Sequence, residues 1–158
     1  MSRAFVKEPD GLSAELPDRA VSTHPNDVTE EGYRQIEVKL AAARDAYATA
    51  QASDDREGMA AAARELRYWN ARRASARIVP NSDDATHVRF GSTVTIIRDD
   101  GRKQTFRIVG EDEADPARGT ISQVSPLARS MFGKRVGDVV PAGAGDAKIL
   151  SIGNGPAG

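Results

Sequence analysis

The sequence predicts an α+β chain: an antiparallel α-helical hairpin (a coiled coil) followed by a small antiparallel sheet domain with one short helix. Three observations carry this. Apolar residues recur in alternating steps of three and four on both sides of Ser53-Asp54-Asp55-Arg56-Glu57-Gly58. The two sets of positions mirror each other about the Asp54–Asp55 bond: Ala50, Tyr47, Ala43, Leu40, Ile36 and Tyr33 backward, Met59, Ala62, Leu66, Trp69, Arg73 and Ala76 forward, with Arg73 the one exception to apolarity. From Val88 onward the helical period gives way to alternation, the pattern of half-buried strands.

Composition narrows the function classes. Apolar content of 39% with only 5% aromatic residues is lean for one globular core of 158 residues, and it suits an extended element joined to a compact one. A net charge of −1 gives no global field that would draw nucleic acid or an anionic membrane. The absence of cysteine excludes disulfides and thiolate metal sites, and the two histidines, His24 and His87, match no metal-ligand spacing. No apolar run approaches the roughly 18 residues of a spanning helix. A cytoplasmic monomer without cofactor and without membrane contact is expected.

Residues 1–28 carry Pro9, Pro17 and Pro25 with scattered charge and no period, and are expected to form a flexible tail. The hairpin occupies 29–79. Thr29 caps its first helix, and Glu30 and Glu31 favour the positive end of the helix dipole. Seam pairs alternate in size, Ala50 with Met59, Tyr47 with Ala62, Ala43 with Leu66 and Leu40 with Trp69, so the two layers interdigitate. Opposite Ile36 stands Arg73, whose stem can cover it while the guanidinium reaches Glu37. Asp54 with Glu57 three residues on has the spacing of a capping box for the second helix. That helix is basic, with Arg56, Arg64, Arg67, Arg72, Arg73 and Arg77 around its length. The arginines could form a face for an acidic partner or for phosphates, or a solvated face offset by nearby acids.

A linker over 80–86 leads to a sheet domain over 87–153 and a tail over 154–158. Val88, Phe90, Val94 and Ile96 share one parity. Asp99-Asp100-Gly101 supplies a hairpin turn, and Lys103 to Val109 returns with Phe106 and Ile108 on one face. Glu111 to Asp115 is a dense acidic loop that could attract a cation but lacks calcium-loop spacing. A strand at Thr120 to Val124 precedes Ser125, which caps a short helix with Pro126 in its first turn. Strands at Val139-Val140 and Lys148 to Ile152 close the domain.

Four stretches in order resemble the C-terminal domain of the GreA/GreB family of bacterial transcript-cleavage factors. They are Val88-Arg89-Phe90-Gly91-Ser92-Thr93-Val94-Thr95; Arg107-Ile108-Val109-Gly110-Glu111-Asp112-Glu113-Ala114-Asp115; Ile121-Ser122 through Ser125-Pro126-Leu127-Ala128-Arg129; and Gly133-Lys134 through Gly137-Asp138-Val139-Val140. Val28-Thr29-Glu30-Glu31-Gly32-Tyr33 is similar to the family's entry into its coiled coil, and Arg67-Tyr68 with Ile78-Val79 to the GreB-type exit. The resemblance implies an FKBP-like C-terminal domain that docks on RNA polymerase, with Ser125, Pro126, Arg129, Gly133, Lys134, Gly137 and Asp138 as polymerase-binding residues. It implies a finger entering the secondary channel, where tip acids help hold the polymerase's own magnesium ion. Asp54, Asp55 and Glu57 are the tip candidates, although the Asn-Ala-Glu-Tyr half of the family tip is absent and the arms are shorter by several turns. The expectation is a non-enzymatic elongation factor that binds RNA polymerase and modulates elongation without stimulating cleavage. A cleavage-stimulating factor using the tip acids is the alternative. From another class stands a nucleic-acid binder using the Arg-rich helix; direct sequence-specific recognition is not expected.

Overall fold

The computed structural model describes residues 16–156. Their elements are β1 (Asp27–Val28), α1 (Glu30–Ala52), α2 (Arg56–Ser75), β2 (Arg77–Ile78), β3 (Ser92–Arg98), β4 (Lys103–Val109), β5 (Thr120–Ser122), α3 (Pro126–Met131), β6 (Val139–Ala142) and β7 (Gly145–Asn154). They divide into two compact units. One holds the chain up to Thr23 together with Arg34–Ser75; the other holds His24–Tyr33 and Ala76–Gly158.

The first unit is the helical hairpin. Arms of 23 and 20 residues correspond to about 35 and 30 Å at a rise of about 1.5 Å per residue. Ile36, Leu40, Ala43 and Ala50 are buried along α1 at the expected steps. On α2 the buried positions are Ala62, Trp69 and Arg72. Arg73, expected on the seam, is exposed instead, and the neighbouring Arg72 is buried to 1%. Positions three and four beyond Trp69 lie on the same face of the helix, and the buried position is the nearer of the two, Arg72. The expected Arg73–Glu37 pair nevertheless forms, at 3.5 Å.

The tail expected to be flexible is docked from Leu16 onward, and residues 1–15 lie outside the described part. Arg64 Nε donates to the Pro17 carbonyl at 2.8 Å, Arg67 pairs with Asp18, and Arg19 donates to Glu65 at 2.8 Å. Charge, not apolar burial, holds this segment down, which is why no periodicity announces it.

The second unit begins with a two-stranded parallel pair: Asp27 and Val28 lie beside Arg77 and Ile78. Asp27 also binds the Arg77 guanidinium at 2.8 Å. Thr29 caps α1 as expected, accepting from the Gly32 N–H at 2.9 Å, while its hydroxyl donates to Glu113 Oε1 at 2.6 Å. A side chain at position 32 would put its Cβ 2.6 Å from that same Glu113 oxygen. Gly32 therefore costs helix propensity but makes room for the acidic loop.

The main sheet has the order β5-β4-β3-β7-β6. It is mixed where an all-antiparallel sheet is expected, because β5 runs parallel to β4. Residues 110–119 form the crossover between them, close to the shortest connection a parallel pair allows. Val94, Ile96, Ile108, Ile121, Val140 and Ile149 project from the sheet onto Ala128 and Met131 of α3, forming one core.

The linker and the C-terminal segment are pinned to this sheet. Arg107, only 8% exposed, donates to the Gly91 carbonyl at 3.2 Å and to the Asn81 side chain at 3.1 Å. Thr93 donates to the Gly155 carbonyl, so the tail expected over 154–158 is anchored at its start. Asp84 closes a local turn: its carboxylate accepts from the Thr86 hydroxyl and from the Thr86 N–H at 2.8 Å, and it pairs with Arg89 at 2.6 Å. The Thr86 hydroxyl first, then its N–H, and more weakly Arg89, hold the Asp84 carboxyl below 3.8, its ordinary value. A carboxyl depressed on folding contributes stability above its unfolded pKa, and that contribution is lost as pH falls through the folded value. The Asp84 carboxyl carbon should therefore titrate below 3.8 by NMR, and Thr86→Val should raise the midpoint. An unchanged midpoint in Thr86→Val would refute this account of the turn.

Candidate functional site

Two places combine exposed, chemically capable side chains: the hairpin tip in the first unit and one face of the sheet domain in the second.

At the tip, α1 ends in a Schellman turn. The Asp55 N–H bonds to the Ala50 carbonyl at 2.8 Å, and the Asp54 N–H to the Gln51 carbonyl at 3.2 Å. That closure needs a left-handed residue at the penultimate place, and Asp54 supplies it with φ 55°, the single non-glycine residue with positive φ among those described. Asp55 then caps α2, its carboxylate accepting from the Gly58 N–H at 3.0 Å. The capping role expected for Asp54 with Glu57 thus belongs to Asp55. A Cβ at Gly58 would sit 2.3 Å from Asp55 Oδ2 and 3.1 Å from the Ala50 Cβ, so glycine admits both the cap and the opposite arm. The carboxylates of Asp54 and Glu57 have no partner among the described residues.

The two aspartates should respond oppositely to mutation. Asp54→Gly relieves the left-handed strain and should stabilise the hairpin by about 0.5–1 kcal/mol. Asp55→Ala removes a helix cap and should destabilise it by about 1 kcal/mol. Chemical denaturation of the two variants decides this; equal and like-signed shifts would contradict the assignment.

Among the described residues no group of three His, Cys, Asp or Glu side chains is placed to hold a metal ion. Asp54 and Glu57 are the two tip carboxylates that could lend oxygens to an ion held elsewhere. The acidic loop Glu111 to Asp115 gathers no such set either, and Glu113 is engaged with Thr29.

The arginines of α2 are largely spoken for. Arg64 and Arg67 hold the N-terminal segment, Arg73 pairs with Glu37, and Arg72 is buried; Arg77, expected on this helix, lies in β2 and pairs with Asp27. Arg56 has no partner among the described residues. The basic face is thus mostly neutralised by the chain's own groups.

On the sheet domain, the seven residues expected to contact polymerase fall on one continuous segment from Ser125 to Asp138. Four of them have evident local structural work. Ser125 caps α3 by accepting from the Ala128 N–H at 3.3 Å. Gly133 and Gly137 take φ values of 78° and 95°, and Asp138 accepts from the Arg135 N–H at 2.8 Å. Arg129 and Lys134 are exposed cations with no partner among the described residues, and Pro126 is exposed beside them. Sequence reasoning missed their apolar companions: Val136 and Val139 are 57% and 60% exposed. The signal was present in Val139-Val140, since adjacent strand residues face opposite ways and only Val140 enters the core. Exposed apolar and cationic side chains within one short segment suit a protein partner with an acidic, partly apolar surface.

Comparison with known proteins bears on this face. Residues 83–154 match the family described as transcription elongation factor, GreA/GreB, C-terminal. Transcription elongation factor GreB of Neisseria meningitidis serogroup B is 45% identical over 95 residues, 56% of this chain and 58% of that protein. GreA of Maricaulis maris is 47% identical over 70 residues, 41% of this chain and 45% of that protein. The chain thus spans about half the length of the curated relatives it matches. A crystal structure of GreA factor homolog 1 (Gfh1) of Thermus thermophilus aligns over 83% of this chain and all of that one, at 22% identity and a TM-score of 0.40, a likeness too low to inform function. Within the second unit, residues 83–154 are thus the part of this chain that is similar to the C-terminal domain of GreA/GreB transcription elongation factors.

Proposed function

We propose that the chain is a Gre-type elongation factor that binds RNA polymerase through its sheet domain and modulates elongation with the hairpin in the secondary channel, without stimulating transcript cleavage. The family match over 83–154 carries the first part. The exposed side chains of Arg129, Lys134, Val136 and Val139 support it, because they lie within one short segment and the fold itself does not use them. In this reading the factor is an accessory and not an enzyme, and any magnesium belongs to the polymerase.

The tip supports the non-cleaving form. Of the three acids, Asp55 is engaged in capping, leaving Asp54 and Glu57 to reach outward. A carboxylate acts on magnesium only at about 2.0–2.1 Å. Arms shortened by two turns fall about 11 Å short at about 5.4 Å per turn, and no side chain spans that gap. Such a finger still alters access to the channel for nucleotides and for longer factors.

Two assays test the proposal. Purified RNA polymerase should retain the full chain, and Arg129→Glu with Lys134→Glu should weaken retention about tenfold, equal to about 1.4 kcal/mol, with an unchanged melting temperature. Retention that ignores both reversals removes this face from the interface. In purified backtracked complexes no RNA shortening is expected; shortening that Asp54→Ala with Asp55→Ala abolishes would establish the cleaving form. Salt-dependent binding to free RNA without any polymerase retention would favour the nucleic-acid reading instead.

A further inference from the structure

Residues Leu16–Arg19 lie as a strap against α2, and their contacts there form an ordered set. The Pro17 carbonyl accepts from Arg64 at 2.8 Å, and the Leu16 carbonyl from Arg67 at 3.4 Å. The Asp18 carboxylate pairs with Arg67. Arg19 donates to Glu65 at 2.8 Å, with its guanidinium carbon 3.7 Å from the Tyr68 ring centroid. Fewer than two helical turns thus engage two main-chain carbonyls, an acid and the base that follows it. Main-chain contacts plus pockets for particular side chains are the ingredients of peptide recognition.

We infer that the ridge of Arg64, Glu65, Arg67 and Tyr68 is a peptide-binding surface, filled in cis by the strap and open in trans to an extended protein segment carrying an acidic residue followed by a basic one. Charge order selects this occupant over a phosphate chain. Glu65 lies between the two arginines in sequence and binds a cation in the strap, so a run of phosphates would meet a carboxylate there. The ring of Tyr68 likewise takes a guanidinium face, which a peptide supplies.

The strap is displaceable. Its ion pairs have side chains between a third and two thirds exposed, and such pairs contribute little and weaken with salt. What favours the strap is its high effective concentration as part of the same chain. A surface covered between nine tenths and ninety-nine hundredths of the time binds a competing peptide about ten- to a hundredfold more weakly. Releasing the strap should recover that factor.

The test uses the full chain with Asp18→Ala and Arg19→Ala, and as probe a fluorescein-labelled peptide of residues 14–22 (Ala-Glu-Leu-Pro-Asp-Arg-Ala-Val-Ser). By fluorescence anisotropy the released variant should bind the probe at least about tenfold more tightly than the parent. Adding Arg67→Ala should abolish that gain, and a peptide with the Asp and Arg exchanged should bind more weakly than the probe. Equal affinity of parent and released variant overturns the proposal. So does tighter binding of a single-stranded oligonucleotide than of the probe peptide. Loss of the hairpin's circular dichroism on release would overturn it too, since the strap would then be part of the hairpin's structure and not a ligand.

Discussion

Trp69→Ala is expected to cost about 3–5 kcal/mol and to melt the hairpin while leaving the sheet intact. Trp69 is buried on α2 and stands at one end of a groove of about 320 Å³ whose walls include Ala42, Ala43, Ala46, Ala61 and Ala62. Beside so many alanines, one indole supplies a large share of the apolar area that the two arms bury. The adjacent Tyr68 ring, 4.8 Å away edge-on, is held by the Arg19 guanidinium 3.7 Å from its centroid, so it is not free to fill the space and most of the cavity cost should persist. Isolated helices of this length are marginal in water, and the arms have few other large side chains to hold them together. Because the chain forms two compact units, the loss should stay local. Amide exchange should show α1 and α2 unprotected from about Arg34 to Ser75, with β3, β4 and β7 still protected. Protection retained throughout α2 would show that the alanine seam is sufficient without Trp69.

How far such features were legible in the sequence depended on whether a short-range period carried them. Ile36, Leu40, Ala43 and Ala50 recur over four turns of α1, and all four are buried. Val94, Ile96 and Ile108 likewise announced their face by alternation. Toward the base of α2 the same logic misplaced the seam by one residue, because positions three and four beyond Trp69 share a face and a strict alternation of steps cannot choose between them. Asp54 and Asp55 are adjacent acids, and only the backbone reveals which one is left-handed and which one caps. The β1–β2 pair spans two residues per strand, too few for any period, and its partners lie far apart in sequence. The parallel sense of β5 depends on the path of residues 110–119, which no alternation encodes. The tail's docking rests on the tips of Asp18 and Arg19, whose partners only folding identifies. Of the sheet domain's exposed candidates, the charged members followed from the family resemblance and Val139 from its alternation with Val140, whereas Val136 emerges only when burial is compared with apolarity.

Ile108→Ala should cost about 3–4 kcal/mol and, under the proposed function, should be felt in polymerase binding through the fold alone. Ile108 is completely buried in β4, where it pairs with Ile121 of β5 and belongs to the cluster that includes Val94, Ile149 and Met131. For a domain whose total stability lies within about 5–15 kcal/mol, that loss lowers the denaturation midpoint sharply. Retention on polymerase should fall in step with the unfolded fraction and recover under stabilising conditions. Val139→Ala makes the necessary contrast. Its side chain lies on the outer face of β6, so stability should move by no more than about 0.5 kcal/mol, and any loss of retention must come from the contact itself. The two variants together separate folding from docking. If Val139→Ala leaves retention unchanged while Arg129→Glu with Lys134→Glu still lowers it, charge steering and not apolar burial governs the docking. If Ile108→Ala binds normally at temperatures where its sheet is unfolded, residues 83–154 cannot be what holds the polymerase.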